Sequence, residues 1–256
     1  MSKPKGTTPA IGIVGLGPMA DWIAERLLSR GYTVYGPSEP GSARDVAESA
    51  EVIFSVVGDS DALEEAAAGP DGILAGLSAG KVYVDLCTVS PEASSELAAR
   101  VAARGTSMLA APVSGNLVAA EEGSVAIIVG GDADALERVE PVLRELGGTV
   151  TFIGERVKAL RLSLAVNVSH AVQALGLSEG ARLAERGGID RAVALDVLKR
   201  SAIGSPMLRA AAPPELPDRA WFDVLELLGA ARVLGYEHRD IAVLFQTFSE
   251  MIAEAA

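Results

Sequence analysis

The sequence predicts an α/β protein: an N-terminal parallel, doubly wound sheet over residues 10–153, then a smaller all-α domain over 154–256, with 1–9 a disordered lead-in. Three observations predict it. The apolar run 11–14 enters a glycine turn, Gly15-Leu16-Gly17-Pro18-Met19-Ala20, and a helical pattern leaves it with Ile23, Ala24, Leu27 and Leu28 at helical spacing. Runs of β type then alternate with helical stretches as far as Ile153. From Gly154 onward no strand pattern recurs.

Taken in order, residues 32–35 read as a short strand ended by Gly36-Pro37, and 41–50 as one short helix. Val52, Ile53, Phe54, Val56 and Val57 make a near-continuous apolar run over 51–57, the mark of a parallel strand buried on both faces. Asp59 or Ser60 caps the next helix. Residues 81–86 form a strand closed by Cys87-Thr88-Val89-Ser90-Pro91, where Ser90 caps a helix through Arg104 and Pro91 takes its favoured first position. Strands follow at 106–111, at 124–129 before Gly130-Gly131-Asp132, and at 149–153, with Asp132 capping a helix through Leu146 between the last two. A long helix over 155–186 ends at Gly187-Gly188, and Asp190 caps the helix 191–200. A short helix opening at Ser205-Pro206, a loop over 211–217 and helices over 219–234 and 239–253 finish the chain.

With 256 residues the chain can bury a full core, and its net charge of −12 argues against nucleic acid and anionic membranes as partners. The lone cysteine, Cys87, excludes an internal disulfide and a multi-cysteine metal site. No apolar run reaches membrane-span length, and residues 1–9 lack the apolar core of a signal peptide. These features lead us to expect a cytoplasmic protein that acts on a small molecule without a metal.

The glycine turn carries the chemistry. Gly15 allows the tight turn, Gly17 lets bare backbone approach a pyrophosphate at the positive end of the helix, and Ala20 still permits close helix–strand packing. That is the signature of dinucleotide binding. After the second strand an acidic residue would hold a ribose hydroxyl and an Arg a 2′-phosphate. Glu39 and Arg44 are nearby, and the sequence places neither.

The chain resembles the β-hydroxyacid dehydrogenase family, which includes 3-hydroxyisobutyrate dehydrogenases and tartronate semialdehyde reductases. The resemblance rests on the turn at 15–19, Asp85-Leu86-Cys87-Thr88-Val89-Ser90-Pro91, Ala111-Pro112-Val113-Ser114-Gly115, Gly130-Gly131-Asp132, Gly187-Gly188-Ile189-Asp190, and Gly235-Tyr236-Glu237-His238-Arg239-Asp240. It implies a Rossmann domain, a helical C-terminal domain, and hydride transfer between NAD(P)H and a hydroxy acid or its aldehyde. By the same resemblance Gly15, Leu16, Gly17, Pro18 and Met19 line the pyrophosphate turn, Val57 and Gly58 lie along the adenosine, and Thr88 approaches the nicotinamide ribose. Ser114, Gly115 and Asn116 would offer donors to a substrate carboxylate. The cofactor is NADP or NAD, with family habit leaning to NADP, and the long helix implies a homodimer.

The pattern breaks at the family's general acid, a lysine followed four residues later by an asparagine. The asparagine falls on Asn167 and the lysine on Ser163, which carries no charge and does not readily release a proton. His170 shares the helical stripe of Ser163 and Asn167, about 10 Å further along the axis, and is the neighbouring candidate acid. The stretch after the second strand is also shorter than in relatives, without the helix that usually follows it, and a helix pair with a Lys-Asp motif is missing between Phe222 and Ala231. The leading expectation is an NAD(P)-dependent oxidoreductase acting on a hydroxy acid, an aldehyde or an imine, as in imine reductases that also lack the lysine. The alternatives are a nearly inactive dinucleotide-binding protein and a helical interaction module.

Overall fold

The structure, a computed structural model, describes residues 8–36, 41–58, 60–115 and 117–201. By internal packing the chain divides into two compact units, Met1–Ser163 and Leu164–Ala256.

In the first unit the strands β1 (Ile11–Gly15), β2 (Val34–Tyr35), β3 (Val52–Val56), β4 (Val82–Asp85) and β5 (Ser107–Ala110) lie side by side in the order β2-β1-β3-β4-β5, all parallel. Helices α1 (Pro18–Ser29), α2 (Ala43–Ser49), α3 (Ser60–Ala68), α4 (Ile73–Gly76) and α5 (Pro91–Ala102) connect them. Side chains alternate across the strands, so the sheet has two cores. Ile11, Ile13, Phe54, Val84 and Leu109 pack with Ile23 and Leu27 of α1 on one face. Ile53, Tyr83 and Met108 pack with Leu63 of α3, Ile73 of α4 and Leu97 of α5 on the other. Each fully buried aliphatic side chain of this kind is worth about 1.5–3 kcal/mol.

The helix starts follow local chemistry. Ser42 and Asp45 form a reciprocal capping box on α2, and Ser90 accepts the Ala93 N–H at the start of α5. Lys81 closes the other end of α2 by donating to the carbonyls of Ala47 and Glu48. Asp59, one of two expected caps of α3, lies outside the described residues.

Beyond β5 the sheet departs from the expected all-parallel arrangement. β6 (Val113–Ser114), which the sequence pattern did not reveal, follows almost at once, then α6 (Leu117–Glu121) and β7 (Ala126–Gly131). β7 runs antiparallel to both β5 and β6, and only β8 (Thr149–Phe152) returns parallel to β7. A parallel pairing needs a crossover of a dozen or more residues, usually a full helix. The link from β5 to β7 spends part of its length on β6, and α6 is a single turn or so. The crossover to β8 is α7 (Ala133–Glu145), capped by Asp132.

Helix α8 (Arg156–Arg186) leaves the sheet and runs on into the second unit, where α9 (Arg191–Arg200) follows. The turn between them closes α8 through Gly188 at φ +80°, with the Ile189 N–H donating to the Ala184 carbonyl and Gly188 N–H to Glu185. Asp190 then caps α9. The expected elements after Arg200 lie outside the described residues, as do the 1–7 part of the lead-in and the Gly235 motif.

Pro141 stands inside α7 on its exposed side and gives no N–H to the carbonyl one turn back. Pro141→Ala is expected to raise stability by about 1–3 kcal/mol, the helix gain less the extra freedom of the unfolded chain. Urea denaturation of the two proteins checks this.

Candidate functional site

In an open α/β sheet the crevice lies at the carboxyl ends of the strands, where the strand order reverses. Here that point falls between β1 and β3. β1 connects outward to β2, whereas β3 begins the run in the opposite direction. A cavity of about 540 Å³ opens there, lined by Gly15, Leu16, Gly36, Ser42, Val57 and Glu65 among others.

The turn above β1 is shaped by two contrasting glycines. A Cβ on Gly15 would stand 2.0 Å from the Val56 carbonyl oxygen, so only glycine lets β1 finish against β3. Gly17, at φ +107°, faces open space, with no atom within 4 Å of the place a Cβ would occupy. Gly58 is open in the same way. Gly17 is also the residue before α1, which has no side-chain cap, whereas α2, α5, α7 and α9 each have one. Pro18 takes the first helical position, where no N–H is needed. An α1 N-terminus without a side-chain cap, with its dipole and a bare glycine before it, is the arrangement that receives a phosphate. The residues fit a dinucleotide.

Beside the turn, β3 and β4 end in a buried polar knot. Tyr83 Oη donates to Ser55 Oγ at 2.8 Å, and Ser55 Oγ donates to Asp85 Oδ1 at 2.8 Å. The Cys87 N–H also reaches Asp85 Oδ1, at 3.2 Å. Cys87 Sγ donates to the Ser55 carbonyl and accepts the Val57 N–H at 3.1 Å, so the thiol ties the loop after β4 to the cavity-lining residue after β3. Asp85 Oδ2 has no partner among the described residues. Burial pushes the Asp85 carboxyl up to about 6, against the pull of its hydrogen bonds from Cys87 and Ser55. Burial likewise pushes the Cys87 thiol and the Tyr83 phenol well above their ordinary ranges, with the Asp85 charge adding to both. Cys87 is a packed thiol, not a nucleophile. Sequence reasoning missed Ser55 as the hub of this knot. The available signal was a lone serine, and then a lone aspartate, inside strands otherwise apolar on both faces.

The other predicted positions distribute as follows. Thr88 Oγ1 lies 3.2 Å from Ser163 Oγ; Ser163, on α8, is fully buried, and both belong to the first unit. Leu16 stands 87% exposed at the turn, while Met19 packs against the core. Ser114 is buried in β6 opposite Ala126, and Gly115 follows at φ +139°. Asn167 is a half-buried position of α8 in the second unit. Asn116 and the side chain of His170 lie outside the described residues, as does Glu39. Arg44 is placed: its Nη2 donates to the Pro70 carbonyl at 2.8 Å and its Nη1 lies 3.4 Å from Asp71. No three-residue His, Cys, Asp or Glu cluster suited to a metal occurs among the described residues, and no helix there is long and apolar enough to cross a membrane.

A doubly wound sheet whose reversal point opens onto bare backbone and an uncapped helix defines the class: nucleotide-binding α/β domains. The chain belongs to the 3-hydroxyisobutyrate dehydrogenase-like family of NAD(P)-dependent enzymes. Residues 36–154 match the NAD-binding domain of 6-phosphogluconate dehydrogenase. A probable mitochondrial 3-hydroxyisobutyrate dehydrogenase-like protein of Arabidopsis thaliana is 32% identical over 214 residues, covering 78% of this chain and 67% of the plant protein. The cytokine-like nuclear factor N-PAC of Mus musculus is 33% identical over 211 residues, 79% of this chain but 39% of that longer protein. An imine reductase from Pseudomonas sp. shares the fold at a TM-score of 0.68 and 20% identity, over 94% of this chain and 99% of its own.

The buried carboxyl sets a pH dependence. Its folded pKa, near 6, lies above the ordinary 3.8, so the folded state holds the proton over that interval while the unfolded state has lost it. Stability therefore falls as pH rises from about 4 to 6, by about 3 kcal/mol in all, and levels off above. Asp85→Asn keeps an acceptor for Ser55 and Cys87 and is expected to abolish that slope, read from urea midpoints between pH 4 and 8.

Proposed function

We propose that the chain binds NAD(P) at the β1–β3 reversal point and reduces a substrate that arrives already protonated, of which an iminium is the simplest case. When bound, the nicotinamide supplies the hydride. The chain's own residues do the rest. The turn at Gly15–Gly17 and the open first turn of α1 hold the bridging phosphates, and Val57 and Gly58 support the adenosine side. Thr88 approaches the nicotinamide ribose, and Ser114, Gly115 and Asn116 are the candidate substrate donors.

One observation carries the substrate reading. At the position where the family resemblance implies a lysine stands Ser163, buried and within hydrogen-bond distance of Thr88. A serine hydroxyl held this way supplies neither positive charge nor a proton at neutral pH. A carbonyl needs that proton as it becomes an alkoxide, whereas an iminium carbon accepts hydride and leaves a neutral amine. The same serine favours a second reading, binding without turnover, and the similarity to a protein named as a nuclear factor rather than a dehydrogenase supports it.

A homodimer through α8 is part of the proposal, supported by Leu162 and Leu183 standing 42% and 72% exposed on it. The expectation of a cytoplasmic protein rests on sequence features alone, and the plant relative carries the word mitochondrial in its own name.

NAD(P)H oxidation against a panel of imines, aldehydes and keto acids is the test, with imines expected to turn over fastest. Ser163→Lys should raise hydroxy-acid oxidation by about 10²-fold or more, the usual worth of a placed general base. Cofactor binding with no turnover on any substrate would establish the second reading. His170→Ala with undiminished rate would remove that histidine from the mechanism.

A further inference from the structure

Resting on the cofactor reading above, we propose that this site selects NAD over NADP, because the wall that would meet a 2′-phosphate carries Glu65 and, among the described residues, no lysine or arginine. This reverses the lean that family habit suggests.

The two cofactors differ by one phosphate monoester on the adenosine ribose, with about −1.5 to −2 charge at neutral pH. A site that takes it supplies an Arg or Lys near the end of the second strand. Here residues 36–51 connect β2 to β3, and they contain a single basic residue, Arg44. Arg44 is turned the other way. Its guanidinium donates to the Pro70 carbonyl and lies beside Asp71, in the connection between α3 and α4. Among the described residues that line the cavity there is no lysine or arginine, and there is one glutamate, Glu65 of α3.

The start of α2 is closed to an anion as well. Ser42, which lines the cavity, has its hydroxyl and its N–H on Asp45 Oδ2 at 2.9 and 2.8 Å, and the hydroxyl accepts the Asp45 N–H in return. Those two donors from Ser42 hold the Asp45 carboxyl below its usual range, so it is ionised throughout the neutral region. A 2′-phosphate approaching Ser42 would meet a fixed negative charge and donors already committed. Ribose hydroxyls meet no such repulsion and can donate to a carboxylate. In a chain of net charge −12 the long-range field acts in the same direction.

Isothermal titration of the full-length protein with NAD+ and NADP+ in low-salt buffer decides it. NAD+ is expected to bind at least tenfold more tightly. Glu65→Lys should narrow that ratio at least threefold by strengthening NADP+ binding. Arg44→Ala should leave both dissociation constants within about twofold. NADP+ binding as tightly as NAD+ in the unaltered protein would overturn the proposal, and so would a selective loss of NADP+ binding in Arg44→Ala. Binding of neither cofactor is a distinct result: it would remove the cofactor reading itself and this preference with it.

Discussion

The contact between Gly15 and the Val56 carbonyl is the constraint from which the site follows. β1 and β3 are neighbours along their whole length, and at their carboxyl ends the backbones close to a separation that no side chain at residue 15 could tolerate. That closeness lets the chain turn sharply into α1. It also leaves the reversal point free of side-chain bulk. The two faces of the sheet hold the strands in register through ordinary apolar packing, so this close approach sits on a packed base rather than in a loop.

The knot of Tyr83, Ser55, Asp85 and Cys87 has a different status. Burying an aspartate with one oxygen unpartnered is unfavourable, and an apolar residue of the same shape would suit stability better at neutral pH. What the knot achieves is positional. Through the Val57 N–H and the Cys87 sulfur it fixes the loop after β4 to the loop after β3, whose Val57 and Gly58 line the cavity. Local stability is given up where the end of β3 meets the cavity.

Much of this was legible in the sequence. The glycine turn, the apolar runs of β1, β3 and β4, and the caps at Ser90, Asp132 and Asp190 obey short-range rules, and each local signal agrees with the fold. β6 and the reversed direction of β7 were not legible, because direction depends on how a connection packs and a two-residue strand has no period. Arg44 shows the same limit at the site. The sequence leaves it unplaced near the second strand, while its partners, Pro70 and Asp71, lie about 26 residues further on. Ser163 was picked out by alignment to a resemblance, but its pairing with Thr88 across 75 residues is a property of the folded chain alone.

Cys87, 4% exposed and the one sulfhydryl of the whole sequence, also makes the protein a reporter of its own breathing. Oxidants and alkylating reagents act on the ionised, accessible form, and both conditions are withheld while β3 and β4 stay together. Any reaction at this sulfur must wait for their ends to part. The speed of its modification under mild reagent therefore measures how often the cofactor end of the sheet comes apart, with no label introduced from outside.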